Sequence, residues 1–360
     1  MSTRLLSLSL LSAGALLACS RSHAPPTPLD GTLEPIGSVE LSVGWPQRVV
    51  TGPEGFVAVT GVDIPDGIVP ATAWTIGLDG AARSRELAWE CPGRWWLQAS
   101  EDVRLICYEG PRDPQRFTHA ALSPDDGLLG PARVLDPPGG VDAVVLEDDA
   151  AWLADFWVEE PERSVRVTEV DLETGRTRST VEQGYDWMRQ APVLRPGSPG
   201  PWLATVDDTP EDGPTLTVRN LRSGLVQSTP TCVASHSRDG LELLELAPDR
   251  VATLELCEGA VFVSTHDVRT GEVRTVALDD GASDAFEAPA MLARADEHLV
   301  VVYGRRERGQ AHVRVLDDDL AVRAEAHLEG TPRGLAARSD LIALLDATYP
   351  SRVQLLRLTL

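Results

Sequence analysis

Residues 167–181, VTEVDLETGRTRSTV, read as a short alternating strand, a tight turn ending at Gly175, and a second short strand. The figure recurs as TIGLDG ending at Gly80, ALSPDDG at Gly127, TVRNLRSG at Gly224 and STHDVRTG at Gly271. It returns without the glycine as VRVLDDD at Asp319. The intervals are 47, 48, 49, 47 and 48 residues. A period this steady restricts the chain to architectures assembled from one repeated unit. Between the turns each unit carries an apolar strand, a polar turn, a second apolar strand and a variable loop. No long segment shows the 3.6-residue periodicity of an amphipathic helix.

Four short strands per period of this length predict a β-propeller blade. Six units are complete. A seventh, LAARSDLIALLDATYPSRVQLLRLTL from about Gly334, has three strands and then the chain stops. The missing strand is supplied by the amino-terminal TLEPIGSVELSV, residues 32–43. Joining the two ends in one blade hides both sheet edges. The expected fold is all-β: a single seven-bladed propeller over residues 32–360. An open β-solenoid or two small barrels are the alternatives.

The turns DLETG (Asp171 to Gly175), NLRSG (Asn220 to Gly224) and DVRTG (Asp267 to Gly271) resemble the repeats of bacterial PQQ-type and YVTN-type propellers. Their chemistry is general. Asp or Asn caps the turn, and glycine takes the positive φ that it requires. WD dipeptides and the tryptophan-docking repeat of quinoprotein dehydrogenases are absent from the sequence.

Charge bounds the partners. Fifty-five acidic residues face 32 basic ones, all arginine, for a net charge of −23. Such a chain repels phosphate backbones, which argues against nucleic acid. It repels anionic lipid as well, so membrane attachment needs a separate device. The first residues offer one. Arg4 precedes an apolar run from Leu5 to Leu17, too short to span a bilayer, which ends in Leu16-Leu17-Ala18-Cys19. This resembles the lipobox of bacterial lipoproteins. It implies cleavage after residue 18 and lipid on Cys19, with several acyl chains giving a stable anchor. An ordinary secretory signal is the alternative. Ser20 rather than Asp after the cysteine favours the outer membrane. Residues 19–31, with Pro25, Pro26 and Pro28, read as a tether.

Export permits disulfides. On the blade scheme Cys91 and Cys232 each follow a fourth strand, and Cys107 and Cys257 each end the second strand of the next blade. Matching slots predict Cys91–Cys107 and Cys232–Cys257. The sequence has no CxxC pair, so zinc has little support.

The blade connections place Trp45, Arg48, Arg94, Trp95, Asp142, Trp187, Arg189, Asp239, Glu242, Phe286, Glu287 and Arg333 around one mouth of the central channel. Mixed guanidinium, carboxylate and aromatic groups there suit a polar ligand, a sugar or a peptide. Ordinary salt bridges and packing are the plainer reading of the same ring. Long acidic loops on this face carry Asp63, Asp66, Glu159, Glu160, Glu162, Asp207, Asp208, Glu211 and Asp212. Oxygen ligands of this kind suit calcium, but the spacing is irregular and solvated loops explain it. No cofactor is expected.

All nine tryptophans fall between residues 45 and 202. Trp74, Trp152 and Trp202 read as core. Trp45, Trp95, Trp96, Trp157 and Trp187 lie in or beside connections, where they pack between blades or face a partner. The sequence has no HExxH, GxSxG or glycine-rich phosphate loop. The expectation is therefore a lipid-anchored module of the cell envelope that binds or scaffolds a protein or peptide. The rival is a periplasmic hydrolase, lyase or quinoprotein with its active site at the channel mouth.

Overall fold

The computed structural model describes residues 29–41, 48–60, 71–89, 91, 94–99, 102–109, 116–123, 128–130, 133–135, 140–159, 162–185, 192–209, 213–233, 240–257, 260–279, 291–305, 310–346 and 350–360. Among them regular structure is all strand, arranged as seven antiparallel sheets. Six are consecutive meanders. Blade one runs Arg48–Gly52, Gly55–Thr60, Thr72–Gly77 and Ala82–Glu86, and four of the other five follow its plan.

The seventh sheet joins the two ends of the chain. Pro332–Arg338, Leu341–Asp346 and Arg352–Thr359 are followed by Thr32–Glu40, paired antiparallel to the last of them from Thr32 opposite Thr359 to Glu40 opposite Arg352. The expected closure is thus observed, with the seventh blade beginning at Pro332 rather than Gly334. Beyond the strand, Gly31 donates to the Arg323 carbonyl at 3.1 Å and Asp30 pairs with Arg323 at 3.0 Å.

Seven apolar clusters hold the ring, one at each blade interface. Side chains alternate across a strand, so neighbouring residues of an inner strand enter opposite interfaces. Val49 packs with Leu345 and Val353 of blade seven. Trp95 packs against Val57 and Val59 of blade one, while Trp96 packs against Leu153 and Val170 of blade three. Blades six and seven meet through Val300, Val313, Ile342 and Leu356. Closure therefore rests on continuous burial around the ring, and each buried aliphatic side chain contributes about 1.5–3 kcal/mol.

The recurring turns have the predicted geometry. Gly80, Gly175, Gly224 and Gly271 all have positive φ, between 69° and 82°. Asp171 Oδ1 accepts from the amides of Glu173 (3.0 Å) and Thr174 (2.7 Å), and Asn220 Oδ1 accepts from Ser223 (2.9 Å). The Thr174 amide first, and then Arg178, which pairs with Asp171 at 2.5 Å, hold the Asp171 carboxyl well below the usual range. In the unit that lacks glycine, Leu320 occupies the left-handed slot with φ 62°. Asp317 compensates, accepting from the Asp319 and Ala321 amides at 2.9 Å each.

Blade two departs from the plan. Its fourth strand is split into Leu128–Leu129 and Arg133–Leu135, both paired with Arg116–Ser123, with the Gly130 amide on the Ala121 carbonyl between them.

Both predicted disulfides are present, Cys91–Cys107 and Cys232–Cys257. Each ties the chain leaving one blade to the second strand of the next, across sequence separations of 16 and 25 residues.

Candidate functional site

The first strand of every blade is its innermost, and these seven strands contact one another in a closed ring: Arg48–Gly52, Arg94–Ala99, Ala143–Leu146, Val193–Arg195, Leu241–Ala247, Met291–Ala295 and Pro332–Arg338. All are entered from blade connections, so their first residues share one end of the channel. Residues one repeat apart become neighbours. Gln98 donates to the Leu146 carbonyl at 2.6 Å and accepts from the Leu146 amide at 2.8 Å. Arg294 reaches the Leu246 carbonyl at 2.7 Å.

Two charged groupings stand at this ring. The first lies between blades two and three. Arg94 pairs with Asp142 at 2.5 Å, and the other Asp142 oxygen accepts from the Phe156 amide at 3.0 Å. Asp155 is nearby. Burial, then repulsion from Asp142, pushes its carboxyl above the ordinary value, while Arg166 and the Gly140 amide oppose that. Tyr108 completes the group. Its ring is buried, and its hydroxyl has no hydrogen-bond partner among the described residues. Burial, with the charges of Asp155 and Asp142, raises its pKa against the pull of Arg94.

The second grouping lies on the innermost strands of three blades. Arg195 on blade four makes a two-pronged ion pair with Glu242 on blade five, Nε to Oε1 and Nη2 to Oε2, both 2.6 Å. Parallel bonds of this kind fix a guanidinium and carboxylate in one plane. Arg48 enters from blade one, on the far side of a seven-blade ring. Its side chain is exposed, yet protein surrounds it closely enough to penalise its charge. Enclosure, then repulsion from Arg195, lowers its pKa to about 10, with Glu242 offsetting part of the effect. Burial disfavours charge on Arg195 as well, but Glu242 more than compensates and raises its pKa. No hydrogen bond or ion pair to Arg48 is found among the described residues. The grouping therefore has two guanidinium groups and one carboxylate.

The remaining expected mouth residues divide. Trp95 is not available at the mouth: its ring is 5% exposed and stands edge-on to Trp89 at 6.3 Å inside the interface of blades one and two. Trp96 is likewise buried, so these two tryptophans serve packing. Trp152 and Trp202 are core as expected, whereas Trp74 is partly buried and donates to Thr60 Oγ1 at 3.0 Å. Arg333 is exposed at the start of the seventh inner strand. Trp45, Trp187, Arg189, Asp239, Phe286, Glu287 and Cys19 lie outside the described residues, as do most of the acidic loops considered for calcium. No cluster of three or more metal-ligating side chains occurs among the described residues.

Sequence reasoning missed Arg195, Asp155 and Tyr108. The first had a usable signal. Arg195 and Glu242 have opposite charges and lie 47 residues apart, one blade period, which is the spacing of neighbours on the inner ring. Asp155 and Tyr108 lie inside apolar strands and gave none.

No family model and no curated protein matches the chain. Solved structures do. Virginiamycin B lyase from Staphylococcus aureus aligns over 92% of this chain and 99% of that chain, with 11% identity and a TM-score of 0.54. A chain of hydrazine synthase from Kuenenia stuttgartiensis aligns over 89% and 97%, with 12% identity and a TM-score of 0.55. BamB from Moraxella catarrhalis aligns over 90% and 99%, with 14% identity and a TM-score of 0.46. At these identities the likeness extends to the propeller fold.

Proposed function

We propose that this propeller is a binding or scaffolding module of the cell envelope that engages a protein or peptide partner across the channel-mouth face. The observation that carries this reading is the Arg195–Glu242 ion pair between the innermost strands of blades four and five, with the exposed Arg48 on the innermost strand of blade one. Charged groups held by three separate blades form a recognition surface that no single blade possesses, and Arg48 stands without an ion-pair partner among the described residues. Two disulfides support folding in an oxidising compartment. The lipobox-like Leu16-Leu17-Ala18-Cys19 supports a lipid anchor on Cys19 and placement at the outer membrane.

Photo-crosslinking tests the face. A photoreactive residue replacing Arg333, at the mouth, should yield a discrete adduct with an envelope protein. The same residue replacing Glu173, on the exposed turn at the other end of blade three, should not. Adducts from Glu173 alone would refute the reading. Replacing Cys19 with Ser should shift the protein from the membrane to the soluble fraction.

An enzymatic reading has its own observation, the Asp142 and Asp155 carboxylates with Asp155 held toward its protonated form. A carboxyl group so placed suits a general acid in a periplasmic hydrolase or lyase. Turnover of any substrate that vanishes in Asp155→Asn while crosslinking from the Arg333 position persists would favour it.

A further inference from the structure

The turn ends of blades five and six enclose a cavity of about 110 Å³. Its floor is Thr265, Leu299 and Leu320, each no more than 5% exposed. Strand alternation places Thr265 there, because Val261 and Val263 on the same face of its strand enter the interface with blade six. The Thr265 hydroxyl has no hydrogen-bond partner among the described residues, so a buried polar group is left to whatever fills the cavity. Arg250 and Arg294 line the walls, and backbone alone holds each of them. Arg250 Nη2 donates to the Asp318 carbonyl at 3.3 Å. Arg294 donates through Nε to the Asp296 carbonyl at 2.8 Å and through Nη1 to the Leu246 carbonyl at 2.7 Å. Neither has a carboxylate partner among the described residues. The other arginines of these two turn ends do: Arg269 pairs with Asp249, Arg274 with Asp319 and Arg323 with Asp317. Arg250 Nε and Nη1 and Arg294 Nη2 are therefore still available to donate.

We infer that this cavity binds the carboxylate of a small organic acid, held by Arg250 and Arg294, with the body of the acid on Leu246, Leu299 and Leu320. The site is separate from the channel mouth, at the opposite end of the blades, and goes beyond the partner-binding reading. Two guanidinium groups fixed in place without counter-charges call for an anion, and their planar forks match a planar carboxylate. The Thr265 hydroxyl supplies one more donor. Asp317 also lines the cavity but brings no free charge, because Arg323 and the Asp319 and Ala321 amides take up its carboxylate. Glu297 and Asp318 stand at the exposed rim. They repel a dianion such as phosphate and leave a place for an ammonium group, so a simple acid and an amino acid share the same carboxylate contact. Size limits the body. A cavity of about 150 Å³ accommodates benzene, so this one suits an acid of about four to six non-hydrogen atoms.

Titration of the full-length protein at pH 7 and constant ionic strength tests this. The probes are sodium propionate, alanine, propionamide and sodium phosphate. Calorimetry and the shift of the melting temperature give two independent readings of binding. Propionate, alanine, or both should bind at least tenfold more tightly than propionamide or phosphate. Tighter binding of propionate identifies a simple acid, and tighter binding of alanine shows that the rim carboxylates engage its ammonium group. Arg250→Gln should weaken binding at least tenfold. Thr265→Val, which keeps the shape and removes only the hydroxyl, should weaken it at least threefold. Arg357→Gln removes the same charge from the turn end of blade seven and should change it less than twofold. Propionamide binding as well as propionate, unchanged affinity in Arg250→Gln, or an equal loss in Arg357→Gln would each overturn the inference. A melting temperature that no probe shifts would overturn it too, leaving the cavity to water, while crosslinking from the Arg333 position would still report on the mouth.

Discussion

The two disulfides occupy the same topological slot in different surroundings. Cys91–Cys107 is wrapped in apolar surface: Cys91 is 4% and Cys107 1% exposed, with Trp89, Trp95 and Leu105 in the same cluster. Cys232–Cys257 borders a polar network. Cys232 is exposed. Thr231 next to it donates to Glu255 Oε2 at 2.5 Å, and Thr253 donates to Glu255 Oε1 at 3.1 Å. Thr253 Oγ1 also lies 3.0 Å from His266 Nε2. Since its single proton goes to Glu255, His266 carries its own proton on Nε2, leaving Nδ1 bare and without a partner among the described residues. One repeat unit thus supports two kinds of interface, dry with no titrating group or polar and tied to pH. The repeat specifies where the chain crosses between blades, and the local residues decide how.

The largest effect that would test this contrast is expected in the dry slot. Trp95→Ala removes a ring buried at the interface of blades one and two and leaves a cavity beside Trp89. It should cost about 4 kcal/mol, with little dependence on pH between 4 and 8. Denaturant unfolding at several pH values measures both. A strong pH dependence of the loss would show that the slot is not the inert one. Next are the bridges themselves. Replacing either cysteine pair with alanine should cost about 3 kcal/mol, because the closed loops are of similar size. Their kinetics should differ. Under mild dithiothreitol the exposed residue Cys232 offers the attacking thiolate an approach, so Cys232–Cys257 should open first in timed alkylation mapping. Earlier opening of Cys91–Cys107 would contradict the dry-and-wet distinction.

The same contrast shows what was legible before the structure. The period of the turns was enough to count seven blades, to assign residues 32–43 to the last of them, and to pair four cysteines, because each of these depends on spacing alone. Chemistry was less visible. Glu242, Arg48, Arg94 and Asp142 could be placed on the inner ring by position. Arg94 and Asp142, opposite charges one blade period apart, carried the same signal as Arg195 and Glu242, but the orientation of each side chain was not readable along the chain. Trp95 was legible as a residue beside a connection, but which way its ring turns depends on strand alternation, and a shift of one residue moves a side chain to the opposite interface. The Glu255–His266 network was not foreseen, because Thr253, Glu255, Ser264 and His266 read locally as the polar half of ordinary alternating strands.

The polar slot should reveal itself in acid. Burial lowers the His266 pKa from 6.5 to about 4. A depressed base contributes stability that is complete above pH 6.5 and is lost as pH falls toward 4, since the unfolded chain then takes up a proton that the folded one refuses. The full shift corresponds to at most about 3 kcal/mol. His266→Gln keeps a donor for Thr253 and cannot titrate. Its unfolding free energy should fall less than that of the parent between pH 7 and 4.5, and parallel curves would remove His266 from the account.

Glu255 gives the smallest effect, with the opposite sign. Burial raises its pKa, against the hydrogen bonds from Thr231, Thr253 and Ser264. A raised acid contributes stability that is complete below the ordinary carboxyl range and is lost as pH climbs through the raised value. Glu255→Gln should therefore gain about 1 kcal/mol over the parent near pH 8 and almost nothing near pH 4. The hydroxyls around it can rotate to accept from the new amide, so the network need not be broken. A loss of similar size at both pH values would show instead that three hydroxyl donors require a carboxylate. In that case the polarity of this slot serves geometry, and its pH response belongs to His266 alone.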